Sequence, residues 1–169
     1  AQHTFSHKHV LIEITNFAKK YSFLQVSNLE PPVDEDGGSG IRTDFEFTDP
    51  QNGKTYASDF STIINTAPSY KKIAMSAPGA LTKHREDQKD KKYKTKLKAV
   101  NKEFLPIIME LYGGFGDQAI KLFGIIKKSV EMKMNVSAAY LMSELKRNIS
   151  FIHRKAYIHS VLSRIRDIY

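Results

Sequence analysis

Two aspartates stand in a stretch of the chain whose other residues favour β-structure. Asp44 interrupts the segment IRTDFEF, and Asp59 interrupts the segment YASDFSTII. The pair Asn52-Gly53 lies between them and is typical of a β-hairpin, because both residues tolerate positive φ. If the two strands pair around that turn, Asp44 and Asp59 can lie nearly opposite each other on one face of the sheet.

Two carboxylates brought that close require compensation. At separations of about 4–6 Å like charges disfavour each other, so the pair needs a cation or a shared proton. Carboxylate oxygens with water completing the coordination shell are the ligands that Mg²⁺ or Mn²⁺ prefers. The hairpin therefore predicts a metal site formed by Asp44 and Asp59. The alternative is two solvent-facing acids on an exposed face of an antiparallel hairpin.

The positive charge of the chain is concentrated in its second half. Of a formal net charge of +8, residues 1–82 contribute seven Lys/Arg against nine Asp/Glu, and residues 83–169 contribute nineteen against nine. Lysines neutralise phosphates without reading base sequence, so this half predicts non-specific binding to a nucleic-acid backbone. A solvated, lysine-rich helix is the simpler alternative. The candidate nucleic-acid-binding residues are Lys83, Arg85, Lys91, Lys92 and Lys96.

The hydrophobic pattern predicts a mixed α/β protein. Apolar spacing predicts helices at 10–21, 80–100, 117–133 and 137–158 or beyond, and strands at 23–26, along both arms of the hairpin, and at 104–111. Residues 34–40 are an acidic, glycine-rich loop, and residues 65–79 are expected to be irregular. The predicted order is helix, three strands, helix, strand, and then further helices.

Length and composition narrow the class of protein. A chain of 169 residues with 41% hydrophobic content can bury one core, which predicts a single domain. The absence of cysteine excludes disulfides, zinc ribbons and thiol nucleophiles, and it favours an intracellular location. No apolar run approaches the ~18 residues of a membrane span, so no membrane partner is expected.

The order αβββαβ, with an acid on the second strand and another on the third, resembles the core of PD-(D/E)XK nucleases. More specifically, three segments resemble the restriction-like endonuclease domain of non-LTR retrotransposons. They are RTD ending at Asp44, SDFST containing Asp59, and KDKKY running from Lys89 to Tyr93. That domain shows an R/K-P-D motif, a D-V-T-type strand and a helix with K-x-x-x-Y. The segment FLPIIMELYGGFG resembles the strand and turn that follow. The resemblance covers about residues 9–125 and leaves a helical extension at about 126–169.

This resemblance implies a metal-dependent DNA endonuclease that nicks its target as a module of a retroelement. It implies that Asp44 and Asp59 hold Mg²⁺ or Mn²⁺ while water attacks a phosphodiester, and that Lys89 orients the water or offsets charge. DNA is the implied partner, with RNA or a reverse transcriptase as further partners within a larger polyprotein. A nuclear location is implied as well.

The sequence departs from the family pattern at two positions. Thr43 replaces the usual proline, which mainly shapes the backbone. Ser61 occupies the position where the D/E-x-K motif has its lysine. In the resembling endonucleases the neighbouring helix supplies that lysine, and Lys89 is the matching residue here, on the same helical face as Tyr93. A nucleic-acid-binding module that kept the fold and lost cleavage remains the alternative, and a helical protein–protein adaptor is a third hypothesis.

Additional site candidates come from other elements. Glu30 follows the first predicted strand, where a third metal ligand can reach. His9 and Glu13 are one turn apart on the first helix and can offer another ligand. Glu110 ends the apolar strand and can support the site indirectly. The remaining candidates are Tyr93 on the charged helix and a terminal histidine cluster of His3, His7 and His9.

Overall fold

The computed structural model describes residues 2–27, 29–31, 42–64, 68–111 and 113–166, with side chains from Ser6 onward. It contains five helices and six strands in these ranges. The helices are α1 (Gln2–Tyr21), α2 (Pro68–Ala74), α3 (Ala80–Ala99), α4 (Asp117–Met134) and α5 (Ala139–Arg166). The strands are β1 (Gln25–Val26), β2 (Phe45–Thr48), β3 (Thr55–Ser58), β4 (Phe60–Ile63), β5 (Lys102–Phe104) and β6 (Ile107–Glu110).

The strands β1, β2, β3 and β5 form one sheet in that order. The pairs β1–β2 and β2–β3 are antiparallel, whereas β3–β5 is parallel. A parallel pair needs a crossover connection, and α3 lies within the segment that links β3 to β5. The protein is therefore mixed α/β, as the sequence predicts.

The strands β4 and β6 form a second, parallel two-stranded sheet that keeps the register of the β3–β5 pair. Ala57 pairs with Phe104 and Phe60 pairs with Ile107, an offset of 47 residues in both cases. At the same offset Asp59 stands opposite Pro106, which has no N–H to donate, so the ladder is interrupted at the level of the aspartate. The backbone N–H of Ile107 still donates to the carbonyl of Asp59 at 3.0 Å.

The two faces of the sheet are covered by different helices. On one face, the largest buried cluster joins the sheet to α1, α4 and α5 through residues such as Ile14, Phe45, Phe123 and Leu145. On the other face, α3 packs through a smaller buried cluster: Ala57, Tyr93, Leu97 and Phe104. Because strand side chains alternate between faces, neighbouring residues of one strand contribute to different clusters.

Several predicted elements are confirmed, and several differ. The hairpin turns at Gly53 with φ of 67°, and α3, α4 and α5 lie where the pattern places them. The prediction of an irregular 65–79 segment is wrong, since α2 occupies part of it and begins at a proline, a favoured first residue. The single strand predicted at 104–111 is broken around Pro106, and α1 begins before residue 10. The acidic loop at 34–40 lies outside the described residues.

The long helices belong to the body of the molecule. Met142, Leu145 and Ile149 of α5 are buried in the same cluster as Val10 and Ile14 of α1, so these two helices share one core. None of the helices in the described part of the chain combines the length and apolarity that crossing a membrane requires.

Candidate active site

Asp44 and Asp59 lie where β2 and β3 separate. Phe45 and Ser58 are the last residues of the two strands in register, so Asp44 and Asp59 are the next residue on each side. Both acids influence the pKa of His7 and that of Tyr93, so the two carboxylates lie in one neighbourhood. The N–H of Phe60 donates to Asp44 Oδ2 at 2.6 Å, so a carboxylate takes the place of a backbone acceptor as the strands diverge.

The second oxygen of Asp44 contacts a histidine of α1. His7 Nε2 lies 3.1 Å from Asp44 Oδ1, and the His7 ring packs against Phe60 with centroids 5.6 Å apart. The hydrogen bond to Asp44 raises the pKa of His7 above its usual 6.5, although burial opposes the shift. The negative charges of Asp44 and Asp59 act in the same direction as the hydrogen bond. The two acids therefore stabilise the imidazolium form of His7 relative to that of an isolated histidine.

Asp59 is 7% exposed and is held by two side chains of α3. Lys89 Nζ donates to Asp59 Oδ2, and the Tyr93 hydroxyl donates to Oδ1 at 3.0 Å. Lys89 and Tyr93 are four residues apart, so both point from one face of the helix. Burial is the largest cause that raises the pKa of the Tyr93 hydroxyl, and the charge of Asp59 adds to it. Tyr93 is accordingly a neutral donor.

The repulsion expected between the two acids is offset by cations on opposite sides of the pair. His7 compensates Asp44 from α1, and Lys89 compensates Asp59 from α3. Among the described residues each carboxylate oxygen has one partner, and such an oxygen can accept from two directions. All four oxygens therefore keep capacity for a further ligand.

The donor set suits a hard divalent cation. Among the described residues no group of three or more His, Asp or Glu side chains converges in a way that could enclose a metal ion. Mg²⁺ is commonly bound by one or two carboxylates together with substrate oxygens and water. Asp44 and Asp59 fit that kind of open site, with the remaining positions left to water and substrate.

Ser61, which stands where the D/E-x-K motif has its lysine, is contacted by Arg85. Ser61 Oγ accepts from Arg85 Nε at 3.3 Å, and Arg85 lies one helical turn before Lys89 on α3. Helix α3 therefore presents Arg85, Lys89 and Tyr93 at four-residue intervals toward Asp59 and the start of β4, which carries Ser61. Arg85 is predicted from the sequence only as a nucleic-acid-binding residue, whereas its side chain contacts Ser61 of β4.

Glu30 reaches Asp44 through its backbone. Its N–H donates to the Asp44 carbonyl at 2.8 Å, and its own carbonyl accepts from Arg42 at 3.4 Å. The side chain of Glu30 is exposed, and its φ is 58°. Glu30 therefore braces the loop that carries Asp44, and the structure does not bring its carboxylate to the acid pair.

The structure also keeps Glu13, His9 and Glu110 apart from the acid pair. Glu13 accepts from Asn148 of α5 at 2.9 Å, and His9 is exposed. Glu110 pairs with Ile63, four residues beyond Asp59 and therefore about 13 Å along the strand. The side chain of His3 lies outside the described residues.

His7 is predicted from the sequence only as part of a terminal histidine cluster, and its contact with Asp44 is not predicted. On α1 the buried positions include Val10, Leu11, Ile14 and Ala18, and His7 extends this stripe by one turn toward the N-terminus. His9 and Glu13 fall off the stripe. The sequence signal that distinguishes His7 from His9 and Glu13 is its helical spacing, which places it on the same face of α1 as the buried residues.

Lysines extend from the acid pair along α3. Lys83, Lys91, Lys92 and Lys96 are all exposed, and Lys92 Nζ donates to the Tyr93 hydroxyl at 2.9 Å. Beyond them a groove of about 520 Å³ lies between the C-terminal half of α3, β5 and the start of α4. Its lysines are Lys54, Lys94, Lys98, Lys102 and Lys121. This basic surface faces solvent over the length of the helix that contacts Asp59.

The structure thus brings together Asp44, Asp59, Lys89 and Tyr93, and it adds His7 and Arg85. It leaves Glu13, His9, Glu30 and Glu110 outside the group of contacting side chains. No protein-family model matches the chain, and no curated protein matches it either.

Proposed function

We propose that the protein is a Mg²⁺-dependent endonuclease that nicks DNA. The single observation that carries this proposal is the acid pair at the point where β2 and β3 separate, with Lys89 on Asp59. A PD-(D/E)XK-type core, the nuclear location and the role as the target-cutting module of a retroelement are parts of the same proposal, and they rest on the motif resemblance.

Asp44 and Asp59 are the residues that would hold the ion. When bound, Mg²⁺ supplies electrostatic activation of the phosphodiester and of the attacking water. Lys89 carries a compact positive charge next to Asp59, where it can offset the charge that develops on the phosphate or orient the water. Tyr93 fixes the orientation of Asp59 by donating to its other oxygen.

His7 and Phe60 orient Asp44 in the same way that Tyr93 orients Asp59. Each donates to a different oxygen of that carboxylate, so its plane is fixed before any ligand arrives. Prepositioned groups of this kind need little reorganisation during the reaction. The exposed lysines of α3 supply the contacts to DNA phosphates, so affinity is expected to fall steeply with salt.

The second candidate function is a nucleic-acid-binding module without cleavage. Two observations favour it: Ser61 stands where the motif has its lysine, and Lys89 pairs directly with Asp59. In that case the cations would serve to neutralise the acids permanently. A helical adaptor leaves the acid pair without a role.

Cleavage of supercoiled plasmid separates the two functions. The purified protein should convert supercoiled plasmid to the nicked form in Mg²⁺ or Mn²⁺, and EDTA should stop the reaction. DNA binding without nicking under every metal tested would favour the binding module. The Asp59→Asn variant, purified in parallel, controls for contaminating nucleases.

A further inference from the structure

A second cavity adjoins the acid pair on the side away from α3. It has a volume of about 290 Å³ and lies between α1, β4 and the C-terminal half of α5. Its walls include His7 and Phe60 on one side and His153, Tyr157, Ser160 and Arg164 of α5 on the other. The residues proposed to act in cleavage do not include any from this part of α5.

The cavity shares two residues with the acid pair. Phe60 lines it, and the N–H of Phe60 donates to Asp44 Oδ2. His7 also lines it, and Nε2 of His7 contacts Asp44 Oδ1. A group that enters the cavity is therefore separated from the Asp44 carboxylate by a single side chain.

The lining combines flat apolar surface with hydrogen-bonding groups. Aromatic surface comes from the half-buried Tyr157, and hydroxyls come from Ser6, Thr62 and Ser160. Binding pockets for small planar groups typically have this composition, with a few polar groups fixing orientation. Arg164 is exposed and lines the same cavity, so it borders the opening. Its guanidinium suits a phosphate oxygen.

We propose that this cavity receives one unpaired nucleobase of the strand to be cut, while Arg164 contacts a neighbouring phosphate. The inference rests on the proposed function and specifies its substrate. A base within a duplex is stacked and paired, so it can enter a protein cavity only from a single strand or a locally opened duplex. The preferred substrate is therefore DNA with an unpaired nucleotide next to the scissile bond, such as a fork or flap.

The test compares a forked DNA with a fully paired duplex of the same sequence, in EDTA so that no strand is cut. 2-Aminopurine is placed at successive positions of the unpaired arm, and its fluorescence reports whether a base enters a protein pocket. Base–aromatic stacking implies that the wild-type protein prefers the fork by about tenfold. Fluorescence should change at one or two positions beside the junction and at no others.

Two variants address the cavity directly. Ala156→Leu should fill it without removing a polar group, and Tyr157→Ala should remove an aromatic wall; both should abolish most of the fork preference. Tyr157→Phe keeps the ring and should keep the preference. Phe151→Ala is the matched control, because Phe151 is 62% exposed on the same helix and does not line the cavity. Thermal unfolding of each variant shows that it remains folded.

The outcomes distinguish this inference from the proposed function. Equal affinity of the wild-type protein for fork and duplex, or an unchanged preference in folded Ala156→Leu and Tyr157→Ala, would overturn it even if plasmid nicking is observed. Loss of the preference in both variants, with Phe151→Ala unaffected, would support it even if no metal produces cleavage. In that second case the cavity serves the nucleic-acid-binding module.

Discussion

Two buried carboxylates lie at helix α3, Asp59 beside it and Glu86 on it. Asp59 accepts hydrogen bonds from side chains, whereas Glu86 accepts one from a backbone N–H. Asp59, on the sheet side, is held by the side chains of Lys89 and Tyr93. Glu86, on α3 itself, is 1% exposed, and its Oε1 accepts from the backbone N–H of Gln118 at 2.8 Å. Burial is the main cause that raises the pKa of Glu86 above its usual 4.5, and the bond to Gln118 opposes it.

The difference separates a structural acid from a candidate functional one. Gln118 is the second residue of α4, so Glu86 satisfies a helix N-terminus from a neighbouring helix. A Cβ at Gly116 would lie 2.3 Å from Glu86 Oε1, so any larger residue there would displace the carboxylate from its place at the start of α4. Asp59 has partners that can move without unfolding a helix. Burial of a carboxylate is thus not enough to indicate a reactive site; the kind of partner is more informative.

The largest expected effect is on cleavage by the acid-pair variants. Asp44→Asn and Asp59→Asn should each lower the nicking rate about a thousandfold or more, because each removes a ligand charge from the site. Glu86→Gln should leave the rate within about threefold, a difference too small to reflect lost transition-state stabilisation. Plasmid nicking under single-turnover conditions measures all three. A comparable loss in Glu86→Gln, with its fold intact, would erase the distinction between the two acids.

Lys89 should have the next largest effect. Lys89→Ala should slow cleavage by about 10²–10³-fold while DNA affinity changes little, since one phosphate contact accounts for about one unit of salt slope. Lys89→Arg should rescue poorly, because a planar fork does not replace a compact ammonium.

Lys91→Ala and Lys96→Ala are the matched controls for that prediction. Both lysines are exposed on the same helix, so their loss should weaken binding modestly and leave turnover at saturating DNA nearly normal. If all three alanine variants merely weaken binding to similar extents, Lys89 belongs to the basic surface alone, and the catalytic assignment rests on the two aspartates.

Gly116→Ala should disturb the contact between Glu86 and the start of α4. The added methyl group would collide with Glu86, and such overpacking should lower the free energy of unfolding by about 1–3 kcal/mol. Gly124→Ala is the control, because a Cβ at that position meets nothing within 4 Å. The change also replaces a glycine in the interior of α4 by a better helix former. It should raise stability by about 0.5–1 kcal/mol. Urea unfolding measures both, and equal effects of the two changes would contradict the close packing of Gly116 on Glu86.

The smallest effect concerns the pH dependence of stability. A folded-state pKa above 4.5 means that Glu86 contributes stability fully below about pH 4.5 and loses it as the pH rises through the raised value. The free energy of unfolding of Glu86→Gln minus that of the wild type should therefore increase as the pH rises above 4.5, because only the wild type loses stability. Urea titrations between pH 4.5 and 7 test this, and parallel curves for the two proteins would contradict it.

Much of the site follows from local patterns. The Asn52-Gly53 turn fixes the hairpin register, and the register brings Asp44 and Asp59 to the same end of the β2–β3 pair. The spacing of Lys89 and Tyr93 on one helical face, with Tyr93 as an apolar anchor, accounts for the direction in which Lys89 points. These features depend on residues close in sequence, which is why they can be predicted.

The parts that could not be predicted depend on contacts between distant segments. His7 meets Asp44 only because α1 packs across the sheet, and Glu86 meets Gln118 only because α4 begins against α3. The break at Pro106 could not be predicted, because it depends on the register that places Pro106 opposite Asp59. A charged residue on a lysine-rich helix gives no local sign of which acid it will contact.

Metal binding by the acid pair is the most direct test of the central claim. Mn²⁺ should raise the melting temperature of the wild-type protein in a concentration-dependent way, with about 2.7 kcal/mol of stabilisation at a hundred times the dissociation constant. The double variant Asp44→Asn, Asp59→Asn should lose this shift, whereas Glu86→Gln should keep it. An unchanged response to Mn²⁺ in the double variant, or none in the wild-type protein, would contradict the assignment of Asp44 and Asp59 as metal ligands.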